Sequence, residues 1–364
     1  MSYDFGRCIK VRISGSSHGD GVGVRVEGLP AGFQLDEGEL LRFLSRRAPG
    51  RSSLTSSRRE DDIPEFSSGT ENWVLTGDEL TAEIKNRGQR RSDYASIADT
   101  PRPSHADYTA FVKYGGKMDM SGGGPFSGRM TAPLCIAGGI ALQILRARGI
   151  HIAAHLFKVG KAQDDGFPLH PSEDMMSALS EKELPVINDT AAAEIRSEIE
   201  SAAEKGDSVG GVIECAVTGI PAGLGGPLFD GVESRIADIV FGIPGVKGLE
   251  FGAGFEVSGM MGSSCNDPFI IIDGAVETAS NNSGGIQGGI TNGMPVTFRV
   301  AFKPTPSISV EQDTISLSGM RPVRISVSGR HDPCIAVRAV PVVEAAAALA
   351  ILDIFAEEGK LGDK

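Results

Sequence analysis

No two cysteines stand at C-x-x-C spacing, and the five present (Cys8, Cys135, Cys215, Cys265, Cys334) are scattered and odd in number. A disulfide framework or thiolate zinc site is thereby disfavoured, and reduced, mostly structural thiols are expected. Positive charge is scarce: 35 Lys+Arg face 47 Asp+Glu, for a formal charge of -12. That balance argues against broad nucleic-acid binding, which depends on neutralising phosphates. Met1-Ser2-Tyr3-Asp4 opens without a charged-then-apolar leader, and no apolar run looks long enough to cross a bilayer. Neither secretion nor membrane insertion is signalled, so a cytoplasmic protein with no membrane partner is expected. The phosphate-loop pattern G-x-x-x-x-G-K-[ST] is missing, and no acid pair is marked for magnesium. An ATP-dependent small-molecule kinase is disfavoured on that ground.

What remains is an ordinary globular composition, 40% hydrophobic and 23% charged, in 364 residues. This is enough for a large core, in one big domain or two. Val22 to Glu27 alternates as a strand and enters the turn Gly28-Leu29-Pro30-Ala31-Gly32. Asp36 then offers an N-cap with Glu39 three residues on, for a helix reaching about Arg47. Val212 to Val217, the turn Gly219-Ile220-Pro221-Ala222-Gly223 and an amphipathic segment from Asp230 to Phe241 repeat that order half a chain later. The recurrence predicts one domain of two related halves, approximately 1–160 and 200–364. Pro133 to Arg148 and Pro341 to Glu358 are apolar on most faces and read as buried helices starting at a first-turn proline. With alternating strands in both halves, they predict an α+β fold with helices between sheets. Ala162 to Ile187, rich in Asp, Pro, Ser and Glu, reads as a surface excursion.

The chemistry concentrates in loops. Five glycines between Gly284 and Gly293 precede the alternating Val296 to Phe302, which leaves through the stiff, cationic turn Lys303-Pro304-Thr305-Pro306-Ser307. Such a surface suits a planar anion, or else is a bulged hairpin without a ligand. His18 stands in Gly15-Ser16-Ser17-His18-Gly19, and His105 in Arg102-Pro103-Ser104-His105-Ala106-Asp107-Tyr108. Either imidazole could exchange protons near neutral pH. Six arginines (Arg42, Arg46, Arg47, Arg51, Arg58, Arg59) lie among hydroxyls without an acid, the composition that grips carboxylates and phosphates. The alternative is a solvated loop balanced by Glu60, Asp61 and Asp62. Ser121-Gly122-Gly123-Gly124 is a second glycine platform before a buried helix. Gly329-Arg330-His331-Asp332-Pro333-Cys334 gathers a cation, a base and a carboxylate ahead of the last one.

These motifs occur together, in order and along nearly the whole chain: G-S-S-H-G, R-R-A-P-G-R, R-P-S-H-A-D-Y, S-G-G-G, N-x-S-G-G-I-Q-G-G-I-x-N-G with K-P-T-P-S, and G-R-H-D-P-C. The set resembles the chorismate synthase family. The resemblance implies a β-α-β sandwich with an internal pseudo-twofold, usually a homotetramer. It also implies a lyase that removes phosphate and a C6 hydrogen from 5-enolpyruvylshikimate 3-phosphate by 1,4-anti elimination, using reduced FMN without net redox change. By position, His18 is expected to protonate the departing phosphate, His105 to partner the flavin N1/O2 edge, and Asp332 to act near flavin N5. Arg46, Arg47 and Arg51 are expected to hold substrate anions. Ser127, Gly288, Lys303, Pro304, Thr305, Pro306, Ser307 and Arg330 are expected to contact FMN. The resemblance leaves open whether the chain reduces its own FMN with NADPH or depends on a separate flavin reductase. Ser16 stands where the family commonly has glutamate, Pro125 and Phe126 where it has arginine and serine, Met130 where it has glutamate, and Ser53 where arginine is frequent. A flavin-binding relative that has lost turnover is the alternative these departures leave open.

Overall fold

Val296–Phe302 buries every second residue and leaves the others half-covered, the alternation of a strand with one face on a core. In the computed structural model, which describes residues 3–50, 54–55, 61–86, 99–327 and 331–361, this strand is the second of a five-stranded antiparallel sheet. Its order is Val246–Phe251, Val296–Phe302, Gly211–Thr218, His151–Val159, Ala162–Gln163. A second antiparallel sheet runs Tyr3–Phe5, Lys10–Gly15, Gly21–Glu27, Leu80–Lys85, Glu65–Ser68.

Helices fill the space between. α1 (Glu37–Arg47) starts where Asp36 accepts from the Glu39 amide, as the capping pattern predicts. α2 (Asp107–Tyr114) ends at left-handed Gly115. α3 (Thr131–Arg146) packs on the first sheet. α4 (Glu173–Glu181) and α5 (Asp189–Glu204) flank the second, and α6 (Val232–Val240) and the single turn α7 (Gly262–Cys265) follow. α8 (Ala336–Glu357) lies on the second sheet and against α3. The layers are therefore sheet, helices, sheet, the predicted α+β arrangement. α3 and α8 touch through small residues: a Cβ on Gly138 would stand 2.2 Å from that of Ala345, so only glycine permits the crossing.

Three expectations need correction. α8 starts at Ala336, and Pro341 lies inside it rather than at its first turn. By length and composition the segment Gly128–Arg146 and α8 could each span a membrane. Both are buried between the sheets, where an all-round apolar surface is required as much as it is in lipid. The stretch from 162 to 187 is not only surface: Met176, Leu179, Leu184 and Val186 are buried. His155, fully buried, binds Asp164 at 2.9 Å and Glu214 at 3.1 Å, while Asp164 also accepts the Ile187 and Asn188 amides.

Both G-[LI]-P-A-G turns follow a core strand with their first glycine at positive φ, +86° at Gly28 and +73° at Gly219. Near the far end of α8, buried Asp353 accepts the backbone amides of Arg7, Cys8 and Ile9 and pairs with Arg235. It ties the first loop of the chain to the last helix.

Candidate functional site

The platform Ser121–Phe126 is a kinked turn in which Gly122, Gly123 and Gly124 all have positive φ. Its two faces meet the two sequence-predicted histidines. A Cβ on Gly122 would lie 2.0 Å from Cε1 of His18, and one on Gly123 would lie 3.3 Å from Nε2 of His105. No side chain other than hydrogen fits between imidazole and backbone at the first position. The His18 turn is joined to the platform by the Ser17 amide donating to Gly124 O at 3.4 Å. Ser127 is beside it, near Gly123 and accepting from the Arg129 amide. Two residues 87 positions apart in sequence thus share one small surface because a strip of glycine separates them.

The cationic turn reaches the same loop from the second sheet. Lys303 donates to the carbonyl of Ser104 and, at 3.1 Å, to its hydroxyl. Burial, then nearby Lys247, pulls the Lys303 ammonium below the ordinary lysine value. Arg102 donates to Ser307 Oγ at 3.1 Å, and Thr305 Oγ1 to the carbonyl of Asp332 at 2.8 Å. Pro306 O accepts from Gln312 at 3.5 Å, and Pro304 packs close to Gly210. The Asp332 carboxylate accepts from Arg338 at 2.7 Å, and Arg338 Nε donates to the Arg47 carbonyl at 2.9 Å.

From Arg47 the links turn back towards His18. Arg47 is 2% exposed and donates through Nε to fully buried Asp62 at 2.7 Å. Asp62 also pairs with Arg129, whose Nε donates to Asn86 at 3.0 Å. Asn86 in turn donates to the carbonyls of Ser16 and Gly19 on either side of His18. Burial alone would raise the Asp62 carboxyl, but Arg47 and Arg129 outweigh it and hold the group below the usual range. Asp62 is the residue sequence reasoning missed. It reads as one of three consecutive acids balancing a solvated arginine loop, and only the fold shows it inside.

His105 is held differently. Its Nδ1 lies 2.6 Å from Asp107 Oδ1, and Asp107 is gripped at both oxygens by Arg102. Burial, with Arg102 and Lys303, pulls the imidazole below its ordinary value although Asp107 pushes the other way. Asp107 sits well below the carboxylate range: hydrogen bonds from Arg102 and His105 overcome its burial.

Arg46 does not join this cluster. Both arms of its guanidinium bind Glu344 on α8, at 2.6 and 2.9 Å, and Glu344 also accepts the Ala154 amide. Nor is Gly288 brought near Lys303 within one chain. Its hairpin leads into Val296–Phe302 at one end and Lys303 leaves at the other. Seven strand residues span about 20 Å. The hairpin packs instead on Gly226, Gly231 and Val232, at the start of α6. Arg51 and Arg330 lie outside the described residues, as do Arg58 and Arg59 of the arginine-rich stretch. A cleft of about 540 Å³ between α1, α3 and α4 contains neither histidine, and its Arg46 and Arg146 are matched by Glu344 and Glu39.

A ligand built of a flat heteroaromatic ring and an anion fits the donors that do converge. The glycine strip brings the two imidazoles together, and the Lys303 ammonium and the Ser104 hydroxyl stand beside His105. Among the described residues no His/Cys/Asp/Glu group could hold a metal ion.

Comparisons with known proteins bear on the family and the fold. The family model described as chorismate synthase matches residues 9–356. Chorismate synthase of Lancefieldella parvula is 44% identical over 365 residues, covering 97% of this chain and 96% of that protein. That of Korarchaeum cryptofilum is 44% identical over 349 residues, 96% of each. A solved structure titled "Crystal Structure of Chorismate Synthase" superposes with a TM-score of 0.76 at 27% identity, covering 97% of this chain and 93% of that one.

Proposed function

The chain belongs to the chorismate synthase family, carbon-oxygen lyases of aromatic amino acid biosynthesis, and from that premise we propose how its own residues carry the elimination of phosphate from 5-enolpyruvylshikimate 3-phosphate. The observation that supports the reading best is the glycine strip between His18 and His105. Reduced FMN, when bound, supplies an electron-rich ring that assists loss of the weakly acidic C6 hydrogen without net redox change. Ser127 and the Lys303 to Ser307 turn would hold it, with His105 towards its polar edge. His18 gives a proton to the departing phosphate, which leaves more easily as its developing charge is met. Asp332, oriented by Arg338, accepts the proton that the elimination releases from C6. Arg47 supplies positive field from beneath rather than a surface grip, since its head is buried on Asp62. The fold's part is to exclude water and fix these groups together.

We propose further that the two matching strand, turn and helix units mark related halves. The exposed Leu228, Phe229, Phe255, Met261, Phe269 and Ile271 support a homotetramer in which copies cover one another. Reduced cysteines fit a cytoplasmic setting, three of the five being buried.

Phosphate release from 5-enolpyruvylshikimate 3-phosphate with dithionite-reduced FMN tests the activity. Turnover is expected there, and none with ATP in place of flavin. Flavin binding without turnover in either would leave a binding protein that has lost the reaction. The same assay run aerobically with FMN and NADPH alone distinguishes self-reduction from a separate reductase.

A further inference from the structure

Resting on the reading that His105 exchanges a proton at the platform, we propose that Asp107 is its positioning residue: clamped by Arg102, it holds the imidazole with a proton on Nδ1 and turns Nε2 to the glycine strip. The geometry leaves one consistent arrangement. Asp107 Oδ2 accepts from the Arg102 backbone amide at 3.0 Å and from Arg102 Nε at 2.7 Å. Oδ1 accepts from Arg102 Nη2 at 2.8 Å and faces His105 Nδ1 at 2.6 Å. A carboxylate with three guanidinium and amide donors is ionised, so a nitrogen 2.6 Å away must bring the hydrogen. Arg102 Nη2, which carries two hydrogens, is also 3.0 Å from Nδ1, but a lone pair on Nδ1 would then face the ionised Oδ1 at 2.6 Å, so the shorter contact decides. The neutral ring therefore carries its proton on Nδ1 and its lone pair on Nε2, the atom next to Gly123.

The clamp is itself fixed. Arg102 is 5% exposed and its remaining arm donates to Ser307, also 5% exposed, on the turn from the second sheet. Lys303 grips Ser104 in the same loop. The charges facing His105 are thus Asp107 and Arg102 from its own loop and Lys303 from the other sheet, while the glycine platform adds none. Arg102 and Lys303 oppose an imidazolium and Asp107 favours one. Asp107 accordingly does two things: it sets the tautomer, and it keeps protonation of Nε2 within reach although two cations and burial resist it.

The variants Asp107→Asn, Asp107→Glu and His105→Ala, each with reduced FMN, test this. Asp107→Asn should lower kcat ten- to a hundred-fold, as loss of an orienting partner does, with KM little changed. The acid limb of the kcat profile should move to lower pH, because the one group favouring the imidazolium is gone. Asp107→Glu should recover much of the rate. Where His105→Ala is impaired, an Asp107→Asn rate within two-fold of the parent, or an unmoved acid limb, overturns the assignment. Nitrogen-15 spectra of histidine-labelled protein, with the His105 signals identified by their loss in His105→Ala, separate the two levels. Should His105→Ala leave the rate intact, the catalytic reading of His105 fails. The tautomer then decides the positioning assignment: Nδ1–H in the parent and its loss in Asp107→Asn support it, and Nε2–H in the parent refutes it.

Discussion

Asp62→Asn isolates the charge at the middle of the site while keeping the side-chain size. In the parent one fully buried carboxylate answers two guanidiniums, Arg47 at 2% and Arg129 at 9% side-chain exposure. Removing one member of a buried ion pair costs about 3–5 kcal/mol, chiefly because the surviving charge is left without a partner. Two cations lose the shared carboxylate, which puts the expectation in the upper half of that range, about 4–5 kcal/mol. At about 2.1 cal/mol/K per residue, the unfolding entropy of 364 residues is about 0.76 kcal/mol/K, so the melting temperature should fall by about 5–7 °C. The pH dependence has a definite sign. The folded carboxyl lies below its unfolded value. Its stabilisation is therefore complete above the ordinary carboxylate range and disappears as pH falls through the folded value. Calorimetry of parent and variant should show the full gap at neutral pH and a narrowing gap in acid. A neutral-pH difference under about 1 °C, or a gap constant down to acid unfolding, would show that Asp62 does not compensate the two arginines.

Other perturbations bear on the chemistry and on the far sheet. Gly122→Ala forces a Cβ to within 2.0 Å of the His18 ring at a φ of +62°, and a displaced imidazole should lower kcat by about a hundred-fold or more; an unchanged kcat would remove His18 from the reaction. His105→Ala should slow the reduced-flavin reaction by roughly two to four decades, read by single-turnover phosphate release, and an unaltered rate constant would dismiss it. For His155, burial lowers the pKa but Asp164 and Glu214 raise it more, so its contribution is complete below the ordinary histidine range and lost as pH rises through the folded value. Corrected hydrogen exchange at the Ile187 and Asn188 amides, which Asp164 holds, should accelerate at alkaline pH; constant protection would show that the imidazolium does not hold this segment.

The parts of the fold that were legible are those where local pattern and tertiary demand coincide. Val296–Phe302 alternates because one face meets the core. α1 starts at Asp36 because a short acid there satisfies an orphan amide. Pro341 misled because a proline suggests a helix start, whereas five residues from Ala336 to Val340 already form a turn before it. The segment from 162 to 187 looked solvated because its acids were read as surface charge. Asp164 is instead neutralised by a histidine on the neighbouring strand, a pairing that no spacing along the chain reveals. The same holds within the site. His18, His105 and Asp332 stand in conspicuous loops, but Asp62 looks like an ordinary surface acid until its two arginine partners are seen. Arg46 and Arg47 show the limit most sharply. Adjacent and alike in sequence, they point to different carboxylates, Glu344 and Asp62, because consecutive helical residues face different directions.

Asp353 has a bearing on biosynthesis. The amide of Ile9 waits for a carboxylate 344 positions later, and ribosomes add about 5–20 residues per second. For tens of seconds the strands on either side emerge with their connecting loop unfastened, because the helix that secures it is made 344 positions later. Closure of that loop thus waits until α8 has left the ribosome, and a chain halted before that aspartate would present the loop to chaperones and proteases.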